Sequence, residues 1–289
     1  MNKNKTTILE IIAIILFIIY MLPFVLIIIN TAKPSLDITS DPLALPKNPA
    51  QFFTNVKTVF ENPNVRYASS FASSVIITVF SCAILVVFSS MAAWVLVRTK
   101  TKLSSAIFMS FVAAMVIPFQ VVMFPLINWF YTVDVTLGLA GTPFQLQRNY
   151  VGIIFAYLGF GSSLSIFLFH GFIKSIPLEL EEAAIIDGCS KPATFFRIVF
   201  PILSPISVTV IILNGMWIWN DFLLPLMLLS TGNAVQTLPL AVASFVGSFL
   251  RRWDLILTSM LMAMVPIVIL FLILQKHIIK GMVSGSVKG

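Results

Sequence analysis

Asp221 has the clearest capacity for chemistry in an apolar setting. It is the only ionisable residue clearly inside a long apolar run, about six residues past its middle, or roughly 9 Å from the midplane of a helix rising about 1.5 Å per residue. A carboxylate there costs about 2.5–3.5 kcal/mol or more to insert, and such residues are kept for proton or sodium coupling. Its neighbours Trp217, Trp219, Asn220 and Phe222 complete a polar-aromatic group of the kind that stacks on sugar rings and hydrogen-bonds hydroxyls. Other candidates are weaker. His170 and His277 are too few and too far apart for a metal site, and Cys82 and Cys189 have neither metal-ligand nor disulfide spacing. The sequence holds no phosphate-cradling G-x-x-x-x-G-K-S/T loop, no H-E-x-x-H and no G-x-S-x-G, so it offers neither ATP binding by that device nor enzyme chemistry.

The elements that must position these residues are set by composition. Of 289 residues, 58% are hydrophobic and 10% charged, against about 45–50% and about 25% in soluble domains, which excludes a soluble domain and disorder alike. An all-α polytopic membrane protein is expected. The net charge of +7 then reflects cations flanking apolar spans rather than nucleic-acid binding.

Runs long enough to cross about 30 Å of hydrocarbon number six, at about 8–29, 67–97, 103–131, 150–173, 202–229 and 253–276. The first is too long for a secretory signal and is followed by no small-residue cleavage site, so it is expected to be retained. A Pro-rich polar stretch, 31–66, separates it from the second. Trp129, Tyr131, Tyr150 and Trp253 fall at span ends, as headgroup-level aromatics do. Cytoplasmic termini place eleven Lys and Arg inside and seven outside, four of the latter in the long first loop, and are therefore preferred. Three regions follow: 1–66, a first helix with an extracellular loop; 67–276, a core of five helices; and 277–289, a cytoplasmic tail. Ser70, Ser74 and Thr78 form a small polar stripe suited to close helix packing, and Pro118, Pro125, Pro205, Pro225 and Pro266 are expected to kink spans three, five and six.

With few coupling charges in the spans, energy is expected to arrive through a cytoplasmic contact, and loop 174–201 is the segment suited to it. Pro177 suits a first helical turn, Glu179, Glu181 and Glu182 complement the helix dipole, and Gly188 suits a left-handed stop, which predicts a helix of about three turns. Ser190 is placed to cap a second helix opening with Lys191 and Pro192. Ala183 and Ala184 allow close approach while Ile185 and Ile186 supply apolar contact, so the helix reads either as a docking element or as a solvated connector.

Glu182-Ala183-Ala184, Asp187-Gly188, Phe196, Pro201 and Pro205 resemble the EAA loop of ABC importer permeases, in its MalG-like carbohydrate-uptake form. The resemblance covers almost the whole chain, through Met115–Gln120 with Pro125, Leu137-Gly138-Leu139, Trp219–Leu226, Thr237-Leu238-Pro239 and the segment from Gln275 to Gly289. It implies that helix 177–187 is a coupling helix seated on an ATP-binding cassette subunit. Glu182 would then make the principal polar contact beside Glu181, Ala183 and Ala184 the close-packed face, and Asp187-Gly188 the turn. Cys189 departs from the usual Ala at similar volume. The tail with Gly285, Lys288 and Gly289 resembles one that reaches into the ATPase interface.

The resemblance further implies half of a heterodimeric importer in a bacterial cell membrane, with a homologous second permease, two ATPase subunits that bind ATP and Mg, and an extracellular binding protein delivering a sugar. This chain would bind no cofactor itself. For Asn220 and Asp221, part of a motif shared by transporters of different sugars, packing or gating is expected over substrate contact. The alternatives are a stand-alone carrier or channel coupled through Asp221, or a permease for another polar solute such as glycerol phosphate.

Overall fold

The computed structural model describes residues 3–63, 65–229, 235–248 and 252–286, with side chains throughout except at 3–5, 244–248 and 274–286. The described residues form only helices and turns. In chain order the helices are α1 (Lys3–Asn30), α2 (Ser35–Ser40), α3 (Gln51–Glu61), α4 (Tyr67–Arg98), α5 (Lys102–Ala114), α6 (Phe119–Thr136), α7 (Tyr150–Ile173), α8 (Glu179–Ile186) and α9 (Lys191–Thr194). After a π-helical turn at Phe195–Val199 come α10 (Phe200–Ile202), α11 (Ser204–Asn220), α12 (Leu223–Leu228), α13 (Leu238–Ser248) and α14 (Trp253–Ser286). Four are long and apolar enough to cross a membrane over Thr6–Asn30, Tyr67–Arg98, Tyr150–Ile173 and Trp253–Ile273. Two bent pairs bring the total to six if each is one span.

Those bent pairs correct the sequence reading of spans three and five. Span three is not a kinked helix ending near Tyr131; α5 and α6 meet at 106° and α6 runs on to Thr136. Before the break, Met115, Val116 and Ile117 donate to Val112, Ala113 and Ala114, an i to i−3 tightening, and Pro118 then enters extended with ψ 137°. Proline has no N–H to carry the ladder on and drives the residue before it out of the α region. The fifth span bends by 75° at Leu203, ahead of Pro205 in the first turn of α11. It also stops early, because Asp221 is extended at ψ 132° and a separate α12 follows. Asp221 therefore sits at a helix terminus rather than inside a continuous span.

The chain divides into two compact units. One comprises Met1–Ala68 with Ala241–Pro266. The side chains of α1 from Ile8 to Phe24 are all exposed, and an apolar helix without a buried face is a span facing lipid or another subunit. The Pro-rich stretch after it is more ordered than its composition suggests, folding into α2 and α3. Buried Asn30 donates from Nδ2 to the carbonyls of Leu26 (2.7 Å) and Pro42 (2.9 Å), and the buried Lys33 ammonium to those of Asp41 (3.1 Å) and Pro42 (3.3 Å). Asn55 Nδ2 donates to Thr31 O at 2.9 Å. Ser35 donates to Asp254, which Arg252 also grips at 2.9 Å, around a core of Val59, Val65, Ala241, Leu255 and Ile256.

The other unit comprises Ser69–Leu240 with Ile267–Gly289. Here α4, α7 and α11 approach closely. A Cβ on Gly161 would lie 2.7 Å from a Leu85 methyl and 2.8 Å from the Asn214 amide oxygen, so any larger residue would have to displace one of those side chains. Buried Asn214 donates to Ser165 Oγ at 3.1 Å and Val210 O at 2.9 Å. The stripe on α4 serves packing as expected: Ser70 and Ser74 are buried, Ser74 Oγ accepts from Leu238 N at 2.8 Å, and Thr78 lies opposite Gly215 of α11. Buried Asp134 near the end of α6 accepts from the amides of Leu146 (2.7 Å) and Gln147 (3.0 Å), closing the loop to α7. His170 stacks on Phe108 with ring centroids 3.6 Å apart, a packing role.

Candidate functional site

The α8 loop is built by local signals. Glu179, Glu181 and Glu182 occupy its first turn, where the N-terminal dipole favours anions. Gly188 at φ +85° stops it: Gly188 N donates to Ile185 O at 3.0 Å and Cys189 N to Ala184 O at 2.9 Å, the paired bonds of a left-handed helix terminus. The helix spans Glu179–Ile186, two turns rather than the three expected, since Pro177 and Leu178 precede it. Ser190 is the N-cap residue of α9 with Pro192 in the first turn, but its hydroxyl makes no cap bond; its carbonyl accepts from Thr194 N instead.

The two faces of α8 differ. On the inner face Glu181 is 4% exposed. Its Oε1 accepts from Arg98 Nε at 2.9 Å and Nη2 at 2.7 Å, and its Oε2 from the Trp94 indole N–H at 2.9 Å. Arg98 Nη2 also donates to Ile176 O at 3.1 Å, and the Trp94 ring lies 5.2 Å from Phe195 in the π turn. The end of α4 is thereby latched to both sides of the loop. Sequence reasoning missed this pair; an arginine closing an apolar span opposite a glutamate-rich helix start was the available signal. Ala184 also turns inward and is buried, so only Ala183 of the two alanines is open to close approach. On the outer face Glu182, Ala183 and Asp187 are exposed, with Ile185 53% and Ile186 85% exposed. A groove of 350 Å³ beside it is lined by Trp94, Arg98, Glu182, Ile185 and Lys191.

The second candidate group only partly converges: Trp217 and Asp221 both meet Tyr157, while Trp219 and Asn220 turn elsewhere. Trp219 is buried and meets Phe71 edge-on at 5.8 Å, whereas Trp217 points to Tyr157, also edge-on at 5.5 Å. Exposed Asn220 donates to Met216 O at 2.7 Å. Asp221 accepts the Tyr157 hydroxyl on Oδ2 at 3.0 Å and Leu223 N on Oδ1 at 3.1 Å. The structure thus uses Asp221 to fix the α11–α12 corner against α7. Trp217 borders a cavity of 300 Å³ with Phe119, Phe160, Ser163 and Asn214. Its polar members, serine and asparagine inside apolar spans, were the overlooked sequence signal. Of the tail residues, Lys288 and Gly289 lie outside the described residues, and Gly285 falls within α14, where the backbone alone is described.

Comparison with known proteins places this geometry. Residues 85–284 match the family described as binding-protein-dependent transport system inner membrane component. The chain is 39% identical over 275 residues to a probable starch degradation products transport system permease protein of Thermoanaerobacterium thermosulfurigenes, covering 95% of this chain and 94% of that protein. It is 37% identical over 290 residues to a melibiose/raffinose/stachyose import permease protein of Bacillus subtilis, covering 100% and 99%. It superposes with a TM-score of 0.71 on a chain of a bacterial ABC transporter involved in import of the acidic polysaccharide alginate, at 19% identity and covering 96% and 98% of the two chains, a likeness of fold. With four apolar spans and two bent helix pairs among the described residues, an EAA loop and these relatives, the chain belongs to the family of binding-protein-dependent transport system inner membrane components, as a multi-pass permease subunit of an ABC importer.

Proposed function

We propose that this chain forms half of a heterodimeric pathway for a sugar or oligosaccharide, in a bacterial cell membrane with both termini cytoplasmic. An extracellular binding protein delivers the solute and a homologous permease supplies the other half. Two ATPase subunits, which carry ATP and Mg, dock on α8 and its counterpart; this chain catalyses no covalent reaction and holds no cofactor. Glu182, Ala183, Asp187 and Gly188 shape the docking face, and Gly285, Lys288 and Gly289 extend a tail towards the ATPase interface. The carbohydrate class follows the substrates for which its relatives are named.

The observation that carries the proposal is the asymmetry of α8. Its inner face is tied to α4 through Arg98 and Glu181, while Ile185 and Ile186 stand exposed beside Glu182. Displacement of the outer face by a closing ATPase pair then pulls directly on the end of a membrane-spanning helix. ATP-driven closure favours one pathway arrangement only through such differential contacts. Against a stand-alone carrier, Asp221 is already engaged by Tyr157 and Leu223.

The test is co-expression with the neighbouring transport genes and capture in mild detergent. A complex whose ATP hydrolysis rises with sugar-loaded binding protein is expected. Glu182→Lys is expected to weaken ATPase capture without loss of membrane insertion, and undiminished capture and transport would remove Glu182 from the docking face.

A further inference from the structure

A cavity of 620 Å³ lies where α4, α5 and α7 end or begin, and transport as proposed does not use it. Its mouth carries three lysines, Lys100 and Lys102 from the α4–α5 turn and Lys174 from the end of α7. No carboxylate lines it, and among the described residues none of the three lysines forms an ion pair. The turn is held rigid: Ser104 N donates to Thr101 Oγ1 at 3.1 Å, and Ser104 Oγ to Leu96 O at 2.7 Å. Ser104 is thus spent on structure, while Thr101 and Ser105 remain exposed at the rim.

The inner wall is apolar. Phe108, stacked on His170, closes it, and Met109 beside it is 60% exposed on α5. The site stands at the level where two apolar spans, Tyr67–Arg98 and Tyr150–Ile173, both terminate. Single lysines beside a span end would simply extend towards water. Three converging from two separate segments on one concave opening, above an apolar wall, instead match a ligand with an anionic head and an apolar tail.

We propose that this cavity binds the phosphate headgroup of an anionic phospholipid. The three ammonium groups attract the phosphate's negative charge, the Thr101 and Ser105 hydroxyls donate to its oxygens, and an acyl chain leaves along Phe108 and Met109. A lipid so held joins the start of α5 to the end of α7, on the helix that leads into the 106° break at Pro118. The inference is independent of the transported solute.

The test exchanges the purified protein into membranes of equimolar phosphatidylcholine and phosphatidylglycerol, then counts retained lipid by native mass spectrometry. Wild type is expected to retain phosphatidylglycerol preferentially, by about fivefold for each lysine engaged. Lys100→Gln/Lys102→Gln/Lys174→Gln is expected to lose the preference and Lys47→Gln/Lys57→Gln to keep it. Lys174→Gln alone, expected to reduce it about fivefold, decides the matter if the triple variant does not fold. Equal retention of both lipids by wild type, or a preference that survives Lys174→Gln unchanged, overturns the proposal. Displacement of the bound lipid by inorganic phosphate overturns the lipid as source and assigns the site to a free anion.

Discussion

Helix α8 and the α11–α12 corner each carry a carboxylate held by internal partners, and they are held in opposite ways. Glu181 meets a full counter-charge on Arg98 and the indole of Trp94, on a separate membrane-spanning helix. Asp221 meets the neutral Tyr157 hydroxyl and the amide of Leu223, two residues along its own chain. The exposed surroundings differ too. Beside Glu181 the outer face of α8 leaves Ile185 and Ile186 bare, whereas beside Asp221 the ring of Trp219 is buried against Phe71. In the proposed assembly a charged latch below a bare apolar face would transmit an external push, whereas a corner whose carboxylate has only neutral partners and whose neighbour is packed inward sets shape.

This contrast is most exposed to failure at Arg98. Arg98→Ala leaves Glu181 buried without a counter-charge, and breaking such a pair costs about 3–5 kcal/mol. A clear fall in the unfolding midpoint in detergent is expected, with partial recovery in Arg98→Lys, since one ammonium cannot reproduce the guanidinium's several directed bonds. An unchanged midpoint in Arg98→Ala would mean that the latch carries no load.

Ile186→Asp acts on the outer face alone. At 85% exposure the residue contributes little to the chain's own stability, so the midpoint should hold. ATPase capture should fall by about thirtyfold, the effect of an interface anchor losing about 2 kcal/mol. At the corner effects should be smaller: Tyr157→Phe removes one hydrogen bond to Asp221, worth about 1 kcal/mol in the unfolding midpoint. Asp221→Asn keeps a carbonyl oxygen that can accept from Tyr157 or Leu223, so a change within about 1 kcal/mol and retained solute uptake are expected. Uptake abolished in Asp221→Asn with folding intact would make Asp221 a coupling residue and collapse the contrast.

Much of this molecule is written locally in its sequence. Gly188 ends α8 in the left-handed conformation its position calls for, and Tyr150 and Trp253 open α7 and α14. The EAA loop and the four long apolar spans were equally plain, because hydropathy and turn residues act over neighbouring positions. Pro118 was less so, since a proline that kinks a helix and one that ends it at 106° have the same local signature. The helices α2 and α3 lay hidden in a proline-rich stretch, fixed by contacts such as Asn55 with Thr31 that no short window contains. The Arg98–Glu181 pair joins residues 83 positions apart, so its two ends were legible in the sequence but their pairing was not. Asp221 was misplaced because apolar residues continue past it on both sides while its backbone turns extended.

The most direct test is solute uptake by proteoliposomes containing this chain, its partner permease and the ATPase subunits, compared with the same assembly carrying Ile186→Asp. Uptake that requires ATP and sugar-loaded binding protein, and that Ile186→Asp abolishes together with stimulated ATP hydrolysis, is the predicted result. Uptake by this chain alone, driven by a proton or sodium gradient and indifferent to Ile186→Asp, would contradict it.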